Sequence, residues 1–321
     1  MADETSTAHR YARFARFEAA GGSPLYQRLA EGVAADPELI ALLDTLPPPK
    51  RQPNLLLAAV RSRHGVARDY AQFREWVLDD PERVLAVVRT RATQTNEAAR
   101  VAAILPVLAA IEGPIALVEA GASAGLCLYP DRFRYDFGGH EIGPEDSPVR
   151  LRCQVEGPVP LPVRLPEVVW RAGLDTNPLD VRREEDLNWL RALVWPEQRD
   201  RRERLEAVAR IAREEPPLLV AGDLREDLGG LLAQAPPAAT LVLFHTSVLC
   251  YLSPGDRDRF SRAARGLDGV WISQEGSGVF PEIDEKLPVE PPAGRALSVL
   301  AVSGEPVAFS ELHGGWVRWL G

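Results

Sequence analysis

Between Ile115 and Gly125 the chain runs Ile-Ala-Leu-Val-Glu-Ala-Gly-Ala-Ser-Ala-Gly, an apolar stretch that feeds a loop of small residues. Two chemistries fit these residue types at this spacing. Glu119, Gly121 and Gly125, with Ser123 between the glycines, make a loop whose backbone N–H groups can meet an anionic ligand where a following helix begins. Read as Gly121-x-Ser123-x-Gly125, the same loop presents a serine nucleophile on a sharp strand-to-helix turn. That second chemistry needs an acid and then a histidine downstream. Of His140, His245 and His313, only His313 lies late enough, and its neighbour Glu311 is poorly spaced to serve as a relay. Gly-x-Ser-x-Gly also arises often by chance in an Ala/Gly-rich chain, so the serine hydrolase is the minor reading.

The elements that must position this loop change character near Gly113. Up to there the pattern is helical: Tyr11, Phe14, Phe17 and Ala20 recur at helical spacing, and helices are predicted over 24–35, 37–46, 53–63, 70–78, 81–91 and 96–111. Several open with proline in the first turn. Thr95 or Asn96 is the predicted cap of the last, with Gln94 and Glu97 beside it. From 113 onward short apolar runs alternate with helical patterns, as a parallel sheet with crossover helices requires. Strands are predicted at 115–120, 168–174, 218–221, 240–244, 270–273, 297–302 and 317–320. The Pro-rich, alternating stretch at about 131–166 reads as an antiparallel insertion. This divides the chain into a helical region, 1–112, and an α/β domain, 113–321.

Composition narrows the chemistry. A chain of 321 residues, 45% of them apolar, can bury a large core. A net charge of −9 argues against binding nucleic acid through bulk electrostatics, which needs clustered cations. Lys50 and Lys286 are the only lysines, and arginine carries the rest of the positive charge, which fits a bacterial genome of high GC content. Cys127, Cys153 and Cys250 are odd in number and far apart, so neither a disulfide framework nor a thiolate metal site is expected. The polar, acidic N-terminus and the shortness of the apolar runs predict a protein that is neither exported nor membrane-spanning, placed in the cytoplasm.

The strand ends point further. Val168–Leu174 delivers Asp175, Thr176, Asn177 and Pro178; Leu218–Ala221 delivers Gly222, Asp223 and Leu224; Thr240–Phe244 delivers His245, Thr246 and Ser247; the fifth strand delivers Gln274 and Glu275. This arrangement resembles the class I S-adenosylmethionine (SAM) methyltransferases. From Gln94–Glu97 through Gly121–Gly125, Asp131–Asp136, Gly173–Asp180 and Leu190–Pro196, the chain is also similar to the bacterial family catalogued as domain of unknown function 2332. The resemblance implies a doubly wound, Rossmann-like, mostly parallel sheet in which ligands meet the carboxyl ends of the strands. It implies SAM as cofactor, with Glu119, Gly121, Ser123 and Gly125 around its methionyl part. Asp175 and Asn177 would lie at the ribose, and Asp223 and Leu224 at the adenine. His245 and Glu275 would face a small-molecule acceptor, with Tyr129, Asp131, Arg132 and Arg134 either lining its pocket or forming an exposed, salt-bridged hairpin. Asp136 competes with Asp175 for the ribose role, because Asp175 lies 56 residues beyond Glu119. Pro130 leaves room for barely a turn of helix after the loop. A module that binds SAM without catalysis is the alternative to an enzyme.

Overall fold

The computed structural model describes residues 6–292 and 296–321. Six helices come first: α1 (Thr7–Phe14), α2 (Pro24–Ala34), α3 (Pro37–Asp44), α4 (Pro53–His64), α5 (Tyr70–Asp79) and α6 (Pro81–Thr90). Their starts are written in the sequence, since Ser6, Ser23, Asp36, Asp69 and Asp80 each accept a hydrogen bond from an N–H of the first turn. Proline stands at the opening of α2, α3, α4 and α6, where its missing N–H costs nothing. The expected face of α1 is not kept: a π-helical turn at Ala15–Ala19 follows it, burying Ala15 and Ala19 and leaving Phe17 67% exposed. The widened turn rotates the register that regular spacing assumes.

Helix α7 (Val101–Ala110) precedes strand β1 (Pro114–Ala120). The insertion supplies β2 (Arg134–Asp136), β3 (Glu141–Ile142), β4 (Arg150–Arg152) and β5 (Gln154–Glu156). After β6 (Glu167–Asp175) come α8 (Glu184–Leu193), α9 (Arg199–Glu214), β7 (Leu218–Ala221), α10 (Leu228–Leu232) and β8 (Thr240–Thr246). The chain ends with α11 (Pro254–Arg265), β9 (Gly269–Gly276), α12 (Pro281–Asp284), β10 (Leu297–Val302), β11 (Glu305–Glu311) and β12 (Trp316–Trp319).

Nine of these strands form one sheet in the order β5-β12-β11-β10-β9-β8-β1-β6-β7. Strands β7, β6, β1, β8 and β9 run parallel, and β10, β11 and β12 are antiparallel to their predecessors. Strand β1, buried from Ile115 to Ala120, is apolar on both faces apart from Glu119, as a central parallel strand must be. The insertion differs from the predicted antiparallel unit. Strand β2 pairs antiparallel with β3 but parallel with β4, while β5, two residues beyond β4, joins the far edge of the large sheet beside β12. Strand β11 has no counterpart in the predicted set, because Pro306 and the charged Glu305 and Glu311 mask its alternation.

Among the described residues the chain forms two compact units: one takes those up to Thr95 together with Arg182–Leu205, the other Asn96–Val181 with Glu206–Gly321. Helix α7, which the sequence assigns to the helical region, thus belongs with the sheet. Within the first unit, Arg91 pairs with Asp186, Trp189 donates its indole N–H to the carbonyl of Ala92, and Glu197 accepts from Ser23. In the second, Val118, Ala172 and Leu243 of the sheet share one apolar cluster with Leu231, Phe260 and Ile283.

Candidate functional site at the strand ends

Strand register brings three predicted acids to one edge. Glu119 lies beside Gly173 of β6, and Asp175, two residues on, pairs with Ala221, which precedes Asp223 by two. Asp136, the competing acid, sits on β2 in the small sheet, where it accepts from the N–H of Gly139. Beyond β1 the loop turns through Gly121 (φ 74°), Ser123 (φ 51°) and Gly125 (φ 68°), so left-handed backbone is needed three times in five residues.

The local chemistry explains these residues first by packing. A Cβ at Gly121 would lie 2.3 Å from Val248 Cγ2, and one at Gly125 would lie 3.0–3.1 Å from Pro217, Leu128 and Leu219. Asp175 fastens the loop: one carboxylate oxygen accepts from the N–H of Ser123 at 2.8 Å and the other from Asn177 at 2.8 Å. Turns, not a helix, follow the loop. The expected helix N-terminus, with its anion-binding dipole, is therefore missing, because small residues and the proline at 130 cannot sustain even the predicted single turn. Ser123 is 3% exposed, and without a helix behind it the strand-turn-helix geometry of a presented nucleophile does not form.

Glu119 is 1% exposed and one of its oxygens, Oε2, has no hydrogen-bond partner. Burial pushes its pKa well above the usual carboxylate range, against the opposing pull of the Arg100 guanidinium. Arg100 is itself buried, donating to the carbonyl and hydroxyl of Thr246 and to the carbonyl of Leu312. Asn96 does not cap α7; its side-chain oxygen accepts from the N–H of Leu126. Glu97 accepts from Ala99 instead, at the short 3-10 turn that opens α7. Arg100 and Cys127 complete a buried polar group that the sequence reading missed, though a lone arginine at the head of an apolar helix was a visible signal.

His245 and Glu275 come together, but in the core. His245 is wholly buried, edge-on to Phe260 and stacked on Trp271. Because indole N–H can only donate, the 3.0 Å bond from Trp271 fixes His245 Nε2 as an acceptor, which leaves the proton on Nδ1, 2.7 Å from Glu275 Oε1. The same Glu275 oxygen accepts from the N–H groups of Val248 and Leu249. Ala120, paired with His245, shares its face of the sheet, so Glu119 points to the opposite one. Both imidazole nitrogens are occupied, and the pair does not face an acceptor on the Glu119 side.

Asp223 is held by Arg225 through both carboxylate oxygens, which pulls its pKa down to about 2. Leu224 and Arg225 stand at the mouth of a cavity of about 330 Å³ between α10 and α11. The hairpin residues form ion pairs: Asp131 with Arg171, Arg132 with Glu215, and Arg134 with Glu141. The hydroxyl of Tyr129 donates to the carbonyl of Glu215.

The fold and site define a mixed α/β protein with a large, mostly parallel central sheet and an acid-lined edge. The chain belongs to the family of an uncharacterised protein conserved in bacteria, domain of unknown function 2332, whose model matches residues 8–319. No curated protein and no solved structure matches it. No helix among the described residues is long and apolar enough to cross a membrane.

Proposed function

We infer that the chain is a class I methyltransferase-like protein that binds SAM at the carboxyl edge of the parallel strands and passes its methyl group to a small molecule. The observation that carries this reading is the strand order β7-β6-β1-β8-β9, in which the chain moves outward from β1 in one direction and then returns to build in the other. Such a reversal opens a crevice at the strand ends, the usual ligand position in doubly wound sheets. The Glu119 loop and Asp175 flank that crevice on the β6 side.

The residues fit the cofactor in part. Asp175 stands at the end of β6 with its carboxylate on the N–H groups of Ser123 and Asn177, and ribose hydroxyls would have to share or displace those bonds. Asp223 would accept from the adenine amine only as Arg225 gives way. Bound SAM would supply an activated methyl group on a sulfonium. The protein's contribution is to align the acceptor and exclude water. His245 and Glu275 hold the loop after β8 in place and move no proton.

A non-catalytic module is the second reading, favoured by the way Val248 already fills the space beside Gly121. Calorimetric titration with SAM and S-adenosylhomocysteine, repeated on Asp175→Ala, tests both. Binding that is lost in a variant of unchanged melting temperature supports the cofactor site, and turnover against an acceptor panel then separates enzyme from module. Failure of the wild-type protein to bind either ligand sinks the proposal.

A further inference from the structure

Among the described residues two arginines are buried, Arg171 and Arg100, and the fold treats them differently. Arg171 takes both carboxylate oxygens of Asp131, at 2.9 and 2.7 Å, so its charge is matched. Arg100 meets only neutral acceptors: Nε donates to the carbonyl of Leu312 at 2.9 Å, and Nη1 to the carbonyl and hydroxyl of Thr246, each at 3.2 Å. No carboxylate among the described residues stands at ion-pair distance from it, and its Nη2 makes no hydrogen bond with them. Glu119 feels the pull of this guanidinium, but burial favours the protonated carboxyl, so the charge of Arg100 stays unmatched. A buried cation without a counter-charge is costly. Arg100 nevertheless keeps 9% of its surface, and Nη2 is not one of the partnerless side-chain atoms sealed from solvent. The unbonded edge of the guanidinium is thus the edge a solute reaches.

The position of Arg100 tells which half of the crevice it serves. It is fastened to the end of β8, which lies on the opposite side of β1 from β6 and Asp175. Thr246 shares the face of Glu119, because Glu119 pairs with Phe244 and Thr246 follows two residues on. Gln274 of β9 pairs with Thr246 on that face; its amide donates to Ser310 Oγ at 2.8 Å, while its buried oxygen has no partner. Glu119 Oε2 is orphaned in the same way. Buried polar atoms are rarely left so, and here two of them accompany an unmatched cation on one sheet face. The charge to be matched is a single unit. A carboxylate, a compact monoanion with oxygen acceptors for guanidinium N–H groups, matches it, whereas a doubly charged phosphate leaves negative charge in excess.

We propose that Arg100 anchors the single carboxylate of a small molecule bound on the β8 side of the crevice. Naming that molecule the methyl acceptor rests on the proposed methyl transfer; the carboxylate site itself does not.

The test is ligand-observed NMR titration of the full chain without SAM, in which acetate or benzoate replaces chloride at constant ionic strength, with acetamide and benzamide as the uncharged counterparts. At least one carboxylate is expected to bind saturably and at least about tenfold more tightly than its amide. Arg100→Lys keeps the charge but loses the planar fork, and is expected to weaken the carboxylate about tenfold while leaving the amide unchanged. No saturable binding of either carboxylate to the wild type, amides that bind as well as the acids, or wild-type affinity in an Arg100→Lys variant of unchanged melting temperature would each overturn the proposal. SAM carries a carboxylate of its own and separates the two sources. Saturating SAM is expected to leave the probes bound; competition would give Arg100 to the cofactor and overturn the assignment. Probe binding by a protein that fails to bind SAM would remove the methyltransferase reading and leave the carboxylate site standing.

Discussion

Glu119 is the residue where chemistry and stability pull apart. Burial raises its folded pKa above the ordinary 4.5, so the folded protein keeps the proton after the unfolded chain has released it. Stability is therefore fully present below about pH 4.5 and falls as pH rises through the interval up to the folded pKa. Glu119→Gln, which copies the protonated form, should match the wild type near pH 4 and melt at a higher temperature by pH 7, as thermal unfolding across that range would record. A lower melting temperature at pH 7 would mean that the carboxylate is needed in the ionised form. His245 contributes through bonding at both ring nitrogens. His245→Phe strands the Trp271 N–H and removes one donor from Glu275, which should cost about 2–4 kcal/mol in urea unfolding. If the proposed methyl transfer is found, a His245→Gln variant that folds should keep it within about tenfold of wild type, against the roughly 10²–10⁴-fold loss of a general base.

The elements around the loop show how far sequence pattern reached. Strands β1, β8, β9 and β10 were legible because uninterrupted apolar runs mark strands buried on both faces, and the partly buried β6 and β12 and the exposed edge strand β7 were legible from apolar runs alone. Helices α2, α3, α4 and α6 were legible from the proline that opens them and, except for α4, from their caps. The insertion was legible only as β-rich, since strands of two or three residues carry too little alternation to specify partners. At the site, spacing placed Glu119, Asp175 and Asp223 at neighbouring strand ends. It could not foresee that Val248 would pack on Gly121 or that Trp271 would claim His245, because both contacts join residues far apart in sequence. The loop supplies a direct check: Gly121→Ala meets both a positive φ and the Val248 side chain and should cost about 2–4 kcal/mol. Adding Val248→Ala should restore part of that loss in a double-mutant cycle; if it restores none, the strain lies in the backbone alone.

At the scale of the whole molecule, a ligand that binds only the folded state stabilises it by about 2.7 kcal/mol at a hundred times its dissociation constant. Saturating SAM should thus raise the melting temperature by several degrees, and a flat thermal-shift profile would count against the cofactor reading. The molecule also carries a constraint from its chain path. The helical unit is closed by Arg182–Leu205, a segment inserted between β6 and β7, roughly a hundred residues after Thr95. On the ribosome, α1–α6 must therefore wait for Trp189, Asp186 and Glu197 to emerge, on the order of 5–20 seconds at ordinary elongation rates. During that interval the apolar face of α4 that packs on α8 has no partner, so synthesis speed through β1 to β6 governs how long that face stays exposed to aggregation and to chaperones.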